Sequence, residues 1–346
     1  MKVGLIADIH LNPYGIFASL GERSARVAHA VLDALAYCRQ RCVEEVWVLG
    51  DLFHNRQRIP VREFNLIRRA LEWAEKQGIR VTLVAGNHDY VTTEGDESVL
   101  DALAPVVHRV VWKEPVWCHY VGKNDIGDAD VLFAPWGKLT TETMALPDPL
   151  WRTHRLILAG HQAIHGAVAA CGEYVPREGI DPRGLDDFAL VVLGHYHKPQ
   201  EVTRPTIRYV GSLLQHDFGD VGSARGLWIL DTISLHMEFV ESGAPKFIVL
   251  PAGQGIMKEQ VANCYVKMEG VDIAAEERTK ATLVGYGALD VTFRRPNVAE
   301  DTRRLPVDAA TPLRDIMGAY VGAKAGTLNP ERLMAVGEAI TQEGQG

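Results

Sequence analysis

Five short apolar runs in this chain each end on Asp, Asn or His, and that pattern constrains the fold more than any other feature. Val3-Gly4-Leu5-Ile6-Ala7 runs into Asp8-Ile9-His10, and Glu45-Val46-Trp47-Val48-Leu49 runs into Gly50-Asp51-Leu52-Phe53-His54. Val81-Thr82-Leu83-Val84-Ala85 leads to Gly86-Asn87-His88-Asp89, Leu156-Ile157-Leu158-Ala159 to Gly160-His161, and Leu190-Val191-Val192-Leu193 to Gly194-His195-Tyr196-His197. Short β-branched apolar runs closed by glycine read as buried strands. Open α/β sheets build their sites at the carboxyl ends of such strands. One tip of this kind is a turn; five point to a shared site.

Between the first three runs the spacing turns helical. Val27, Val31, Ala34, Leu35 and Cys38 share one face over about Glu22–Arg41, and Phe64, Ile67, Leu71 and Ala74 share another over Val61–Gln77. Pro60 precedes the second helix and Gly78 ends it, as helix boundaries prefer. The result is a βαβαβ unit, hence a parallel sheet with helices on its faces. Further strands are expected at Val106–Val111, Val116–Val121, Asp130–Ala134, Thr206–Val210, Gly226–Asp231 and Leu235–Val240, with a Gly-rich loop over Gln162–Asp187. So many β segments in the second half predict an α/β fold of two packed sheets with helices outside, an α/β/β/α sandwich. Pro and Gly cluster around Pro251–Gln260, which places domain limits at residues 1–254, 255–304 and 305–346. The second part is a small α+β cap. The third is a helical tail, its helices begun by Thr311-Pro312 and Asn329-Pro330.

Composition narrows the class. At 346 residues and 47% apolar content the chain can bury a large core and a smaller one. No apolar run approaches the roughly 20 residues of a membrane span. A strand begins almost at Met1, so no signal peptide is expected and the expected compartment is the cytoplasm. Five scattered cysteines without CxxC spacing fit free thiols rather than a disulfide framework. A formal charge of −8 counts against a nucleic-acid binder, although two divalent cations would return positive charge close to the site.

The tips supply Asp8, His10, Asp51, Asn87, His161, His195 and His197: two carboxylates, four imidazoles and one amide. This set is nitrogen-rich for a magnesium cage and sulfur-poor for structural zinc, and it suits manganese, iron or zinc. Seven ligands exceed what one ion takes and suit two if a carboxylate bridges. Two ions about 3.5–4 Å apart clamp the attacking and leaving oxygens of a phosphoryl displacement and lower the pKa of a shared water.

Taken together, Asp-x-His, Gly-Asp, Gly-Asn-His-Asp, Gly-His and Gly-His-x-His resemble the calcineurin-like metallophosphoesterases, in family order, over roughly residues 1–240. The resemblance implies a metallophosphoesterase sandwich. It implies one metal on Asp8, His10, Asp51 and His197, and a second on bridging Asp51, Asn87, His161 and His195. Both are divalent, Mn2+ foremost, with Mg2+, Fe2+ and Zn2+ as the alternatives. His88 would lie close to the substrate phosphate, as a general acid toward the leaving oxygen or a stabiliser of developing charge; Asp89 would orient His88 or a ligand, and His54 would stand at the rim.

Gly50 to His54, Gly194 to Gln200 and Tyr209 to Gln215 resemble the SbcD-type DNA-repair exonuclease branch, as do the cap and tail. That branch works on DNA as homodimers with an SbcC-type coiled-coil ATPase and uses manganese. Tail residues Leu313, Ile316, Met317, Tyr320 and Val321 would then bind the ATPase or pack on their own domain. The basic residues Arg56, Arg58, Arg68-Arg69, Arg204 and Arg294-Arg295 would touch phosphates or be solvated surface. A small-molecule phosphodiesterase and a metal-free scaffold are the alternatives. The first leaves cap and tail without a task; the second should have lost ligands.

Overall fold

Strand, helix and strand alternate as the spacing predicts. The structure, a computed structural model, describes residues 1–13, 22–92, 95–121, 128–146, 155–168, 179–294, 312–324 and 329–343. The chain opens with β1 (Lys2–Ile6), α1 (Glu22–Gln40), β2 (Glu45–Leu49), α2 (Val61–Lys76), β3 (Arg80–Val84) and β4 (Arg109–Val111). There follow β5 (Val116–Tyr120), β6 (Ala129–Ala134), β7 (Arg155–His161), β8 (Leu190–Gly194), β9 (Gln200–Val202) and β10 (Arg204–Tyr209). Next come β11 (Gly226–Asp231), β12 (Met237–Glu241), β13 (Lys246–Pro251), α3 (Lys258–Val261), β14 (Cys264–Glu269), α4 (Ile273–Gly285) and β15 (Asp290–Arg294). Helices α5 (Leu313–Lys324) and α6 (Pro330–Glu343) end the chain.

One six-stranded sheet runs β12-β11-β1-β2-β3-β4, the other β5-β6-β7-β8-β10-β9. Strands β1 to β4 are mutually parallel, as are β6, β7, β8 and β10, so their carboxyl ends line common edges. The period of two sorts each strand between two cores. Val3, Leu5, Trp47 and Leu49 face between the sheets, where they meet Val131, Phe133, Ile157 and Val192. Trp47 meets Phe133 edge-on, ring centroids 5.0 Å apart. Val46, Val48, Val81 and Leu83 face outward onto Val27, Val31 and Leu35 of α1 and Ile67 and Leu71 of α2. Parallel strands covered on both faces carry these continuous apolar runs.

The outer face of the second sheet differs from expectation. Among the described residues no α-helix covers it. The 3-10 turn Pro182–Leu185, with Leu185 and Phe188, packs there against Leu158, Val191 and Ile207, and Leu139, Met144 and Leu146 join them. The loop anticipated over Gln162–Asp187 falls partly outside the described residues.

The small sheet is β13-β14-β15, all parallel, with its own core of Val261, Val266, Met268, Leu283 and Val291. Its first strand, Lys246–Pro251, lies before the expected boundary at residue 254. The chain divides into two compact units, Met1–Arg294 and Arg295–Gly346. The small sheet thus belongs with the sandwich. Within the second unit α5 and α6 pack together, the bare Cα of Gly337 leaving room for Met317. No described helix is long and apolar enough to cross a membrane. Cys38, Cys42, Cys118 and Cys264 are free thiols, and Cys171 lies outside the described residues.

Candidate metal centre

Positive backbone angles turn the side chains of the tips toward one point. Asp8 has φ 52°, His10 48°, Asp51 54° and His195 110°. Non-glycine residues rarely hold such angles, and when they do the surroundings over-determine them. Here the two chain segments past β1 and β2 clasp one another: Asp8 N donates to Gly50 O at 3.1 Å and His10 N to Asp51 O at 2.9 Å. Gly50 itself has φ +89°, and a Cβ there would overlap the His161 ring. That opening lets His161, from the second sheet, reach the Leu49 carbonyl of the first, with Nδ1 at 2.8 Å. His195 and His197 would point apart on a continuing strand. The strand instead ends at Gly194, and the turn at His195 brings both inward.

The seven expected donors fall into two clusters that share Asp51. In the first, ligand atoms of Asp8, His10 and His197 lie within 4.8 Å of one another, and His10 Nε2 is 3.1 Å from His197 Nε2. In the second, Asn87 Oδ1 lies 3.2 Å from both His161 Nε2 and His195 Nδ1. Asp51 Oδ2 stands between, 3.4 Å from His10 Nε2 and 3.5 Å from His161 Nε2. Its other oxygen, Oδ1, accepts from His88 N at 2.8 Å, leaving Oδ2 to face both clusters.

The donor chemistry fits bound cations. Leu49 O can only accept, so His161 carries its proton on Nδ1 when neutral and presents a lone pair at Nε2. That lone pair meets Asn87 Oδ1 and Asp51 Oδ2, both acceptors. Three lone pairs converging on one buried point need a shared proton or a cation between them. Donors held about 2.1 Å from one ion stand roughly 3.0–3.5 Å from each other, which is the spacing here. Burial opposes charge on His161, yet Asp51 and Asp8 beside it lift the imidazole to about 9. Burial likewise opposes charge on Asp51, but His161 and His10 hold its carboxyl well below the usual range. Asp8 goes the other way: burial and the charge of Asp51 push it up to about 7. Burial keeps His195 down at about 3, and it lowers His10 and His197 as well. Neutral imidazoles around a buried carboxylate pair are groups that could hold a metal ion.

At the rim, His54 and His88 stack with centroids 5.3 Å apart, and both rings lie edge-on to His10. His88 Nδ1 faces the His54 carbonyl at 2.7 Å, so it carries a proton and Nε2 is left for exchange. Among the described residues no hydrogen bond joins Asp89 to the His88 ring. The buried Asp89 carboxylate accepts from the backbone N–H of Asp51, Leu52, Phe53 and Gly86 at 2.8, 3.0, 3.3 and 2.9 Å. It therefore fixes the backbone that carries Asp51.

Two residues at the site were not singled out by the sequence. Trp136 lies 4.6 Å from the His195 ring and 6.0 Å from His161, covering the second cluster. His216 packs 4.7 Å from His197 and 5.3 Å from His10. Of the basic candidates, Arg68, Arg204 and Arg294 are ion-paired with Glu72, Asp186 and Glu269. Arg295 lies outside the described residues.

Residues 1–199 match the family described as calcineurin-like phosphoesterase. The chain belongs to that family. Calcineurin-like phosphoesterases use a dinuclear metal site, which agrees with two donor clusters joined through Asp51. Among its relatives is Exonuclease subunit 1 of Enterobacteria phage T4, 22% identical over 242 residues, covering 69% of this chain and 67% of the phage protein. A subunit of the nuclease SbcCD of Staphylococcus epidermidis is 34% identical over 79 residues, 22% of this chain and 21% of that one. Among solved structures, a dimetal phosphatase from Danio rerio is similar at a TM-score of 0.36 and 12% identity, covering 66% of this chain and 91% of its own.

Proposed function

We propose that this calcineurin-like phosphoesterase is a two-metal, manganese-using phosphodiester hydrolase that cuts DNA. It would act as an exonuclease and endonuclease in recombination or double-strand-break repair. The observation that carries the reading is the single oxygen, Asp51 Oδ2, shared by two clusters at the open edge of the sheets. Asp8, His10, His197 and Asp51 would hold one ion, and Asp51, Asn87, His161 and His195 the other. Ions there would lower the pKa of a water and neutralise phosphate charge. Within the chain itself, His88 Nε2 is the group placed to pass a proton to the leaving oxygen, because its Nδ1 is committed to the His54 carbonyl. Asp89 holds Asp51 in place from behind. Arg56 and Arg58, on the same loop as His54, are placed to meet the backbone of a longer substrate.

The names of both curated relatives, an exonuclease subunit and a nuclease subunit, support DNA over a small diester. Both names carry the word subunit, which supports action within a larger complex; in our reading the chain is a homodimeric nuclease subunit and the partner an SbcC-type ATPase reached through α5 and α6. The test is incubation of the purified chain with Mn2+ and linear DNA carrying single-stranded ends, beside 2′,3′-cyclic nucleotides and an aryl phosphodiester. Nucleotide release from DNA is expected. Turnover confined to the cyclic nucleotides would refute the nuclease reading and leave a small-molecule phosphodiesterase.

A further inference from the structure

The small sheet and the metal centre are joined by a continuous chain of hydrogen bonds. Arg23, in the first turn of α1, is only 2% exposed although charged. Its guanidinium lies 4.8 Å from the ring centroids of both Phe247 on β13 and Tyr265 on β14. Its Nη2 donates to Gln215 O at 3.1 Å and His216 O at 2.8 Å. Gln215 is gripped again by its side chain: Oε1 accepts from Phe247 N at 2.7 Å, and Nε2 donates to Asp220 O and Ser223 O at 3.0 and 2.9 Å. The small sheet thus fixes this dipeptide from one side.

From the other side His216 reaches the site. Its Nε2 lies 2.9 Å from Asp8 O, and a carbonyl can only accept, so Nε2 carries the proton. The residue it holds is one whose backbone stands at a positive φ. His216 Nδ1 is buried with no hydrogen-bond partner among the described residues. A buried polar atom left unsatisfied calls for a reason. Here the ring is kept in place by its backbone, by Asp8 and by the flanking faces of His10 and His197. The Asn87–His161–His195 side is braced by Leu49 O and the Trp136 ring, and it meets Asp8 through the carboxylate, which accepts from His195 N at 3.0 and 3.2 Å.

We propose that Arg23 and His216 are positioning residues through which the seating of the small sheet sets the affinity of the Asp8–His10–His197 side for its ion. The other side, which meets Asp8 through its carboxylate and not through the carbonyl that His216 holds, is affected less. The inference rests on the two-ion reading above and goes beyond it by assigning a control element to one of the two positions.

The test is Mn2+ binding to the full chain, followed by calorimetry and by electron paramagnetic resonance, which distinguishes an isolated ion from a coupled pair. Arg23→Met removes both donors at similar volume, and His216→Leu removes the bond to Asp8. Each should weaken one of the two binding steps about 10–100-fold, the usual effect of removing a group that orients metal ligands. At intermediate Mn2+ the variants should show the isolated-ion spectrum where the wild type shows the coupled pair. Arg23→Lys and His216→Gln each keep a donor toward the same carbonyl and should recover most of the lost affinity. Circular dichroism checks folding, and if Arg23→Met fails it, the His216 pair decides. Unchanged binding of both ions in folded Arg23→Met or His216→Leu, or equal weakening of both steps, overturns the inference. A wild-type chain that takes up no second ion instead overturns the two-ion reading.

Discussion

Asp89→Asn is a one-atom exchange with a large expected effect. Oδ2 of Asp89 accepts from Asp51 N and Gly86 N, and Oδ1 from Leu52 N and Phe53 N. An amide offers one oxygen, and its nitrogen would face two N–H donors whichever way it is turned. Two bonds are lost in either orientation. A bond from N–H to an ionised acceptor contributes about 1.5–3 kcal/mol, so the loss is about 3–6 kcal/mol, against a total stability of about 5–15 kcal/mol. Relaxation and entering water reduce this, and about 3 kcal/mol is the value to expect. Burial and the charge of Asp51 push Asp89 up to about 7, so urea unfolding of the metal-free protein at about pH 8.5, where the carboxylate is ionised, should show a lowered midpoint with an unchanged slope. Mn2+ affinity should fall as well, because the Asp51 backbone loses its clamp. A midpoint shift worth less than about 1 kcal/mol, with normal metal uptake, would refute the role given to Asp89.

Three further perturbations separate the parts of the centre. Asp51→Asn should remove metal binding and turnover together, since one charge faces both clusters; metal analysis showing two bound ions and full Mn2+-dependent rate would count against the bridge. His88→Ala should retain both ions and lose hydrolysis about 10²–10⁴-fold, the range for a general acid; a loss of metal in step with rate would make it a ligand instead. Metal affinity should climb with pH, because an incoming cation displaces protons from Asp8 at about 7 and His161 at about 9. Calorimetry at about pH 8 in buffers of different ionisation enthalpy should report net proton release, and a flat affinity from about pH 6 to 9 contradicts it. Without metal the sign is opposite: the folded value of His161 exceeds the ordinary 6.5, so its stabilisation is complete below that and fades as pH rises through about 9.

The sandwich and the convergence of the seven candidate side chains were legible because both are written locally. An apolar run closed by Gly and Asp or His states its strand and its tip in a few residues, and β1, β2, β3, β7 and β8 carry all seven donors at or just past their ends. Features that depend on two distant segments were not legible. His216 sits after an ordinary turn, and nothing nearby tells that it meets the Asp8 carbonyl 208 residues away. Trp136 reads as one more aromatic until its ring is found over His195. Asp89 reads as orienting either adjacent His88 or a ligand, and only the fold shows that its bonds run mostly to the loop of Asp51, 36–38 residues back. Strand β13 escapes notice because Pro251 ends it and polar residues follow, which sets the apparent boundary one strand late.

The meeting of tips from the two sheets has a kinetic consequence. His10 and His197 are 187 residues apart in the chain, yet their ring nitrogens nearly touch. No folding intermediate confined to one sheet can own a complete set of donors. Added cation should therefore leave the refolding rate alone and act on the return journey, slowing the opening of molecules that have already finished. A protein assembled this way acquires its chemistry in the last step of folding and surrenders it in the first step of coming apart.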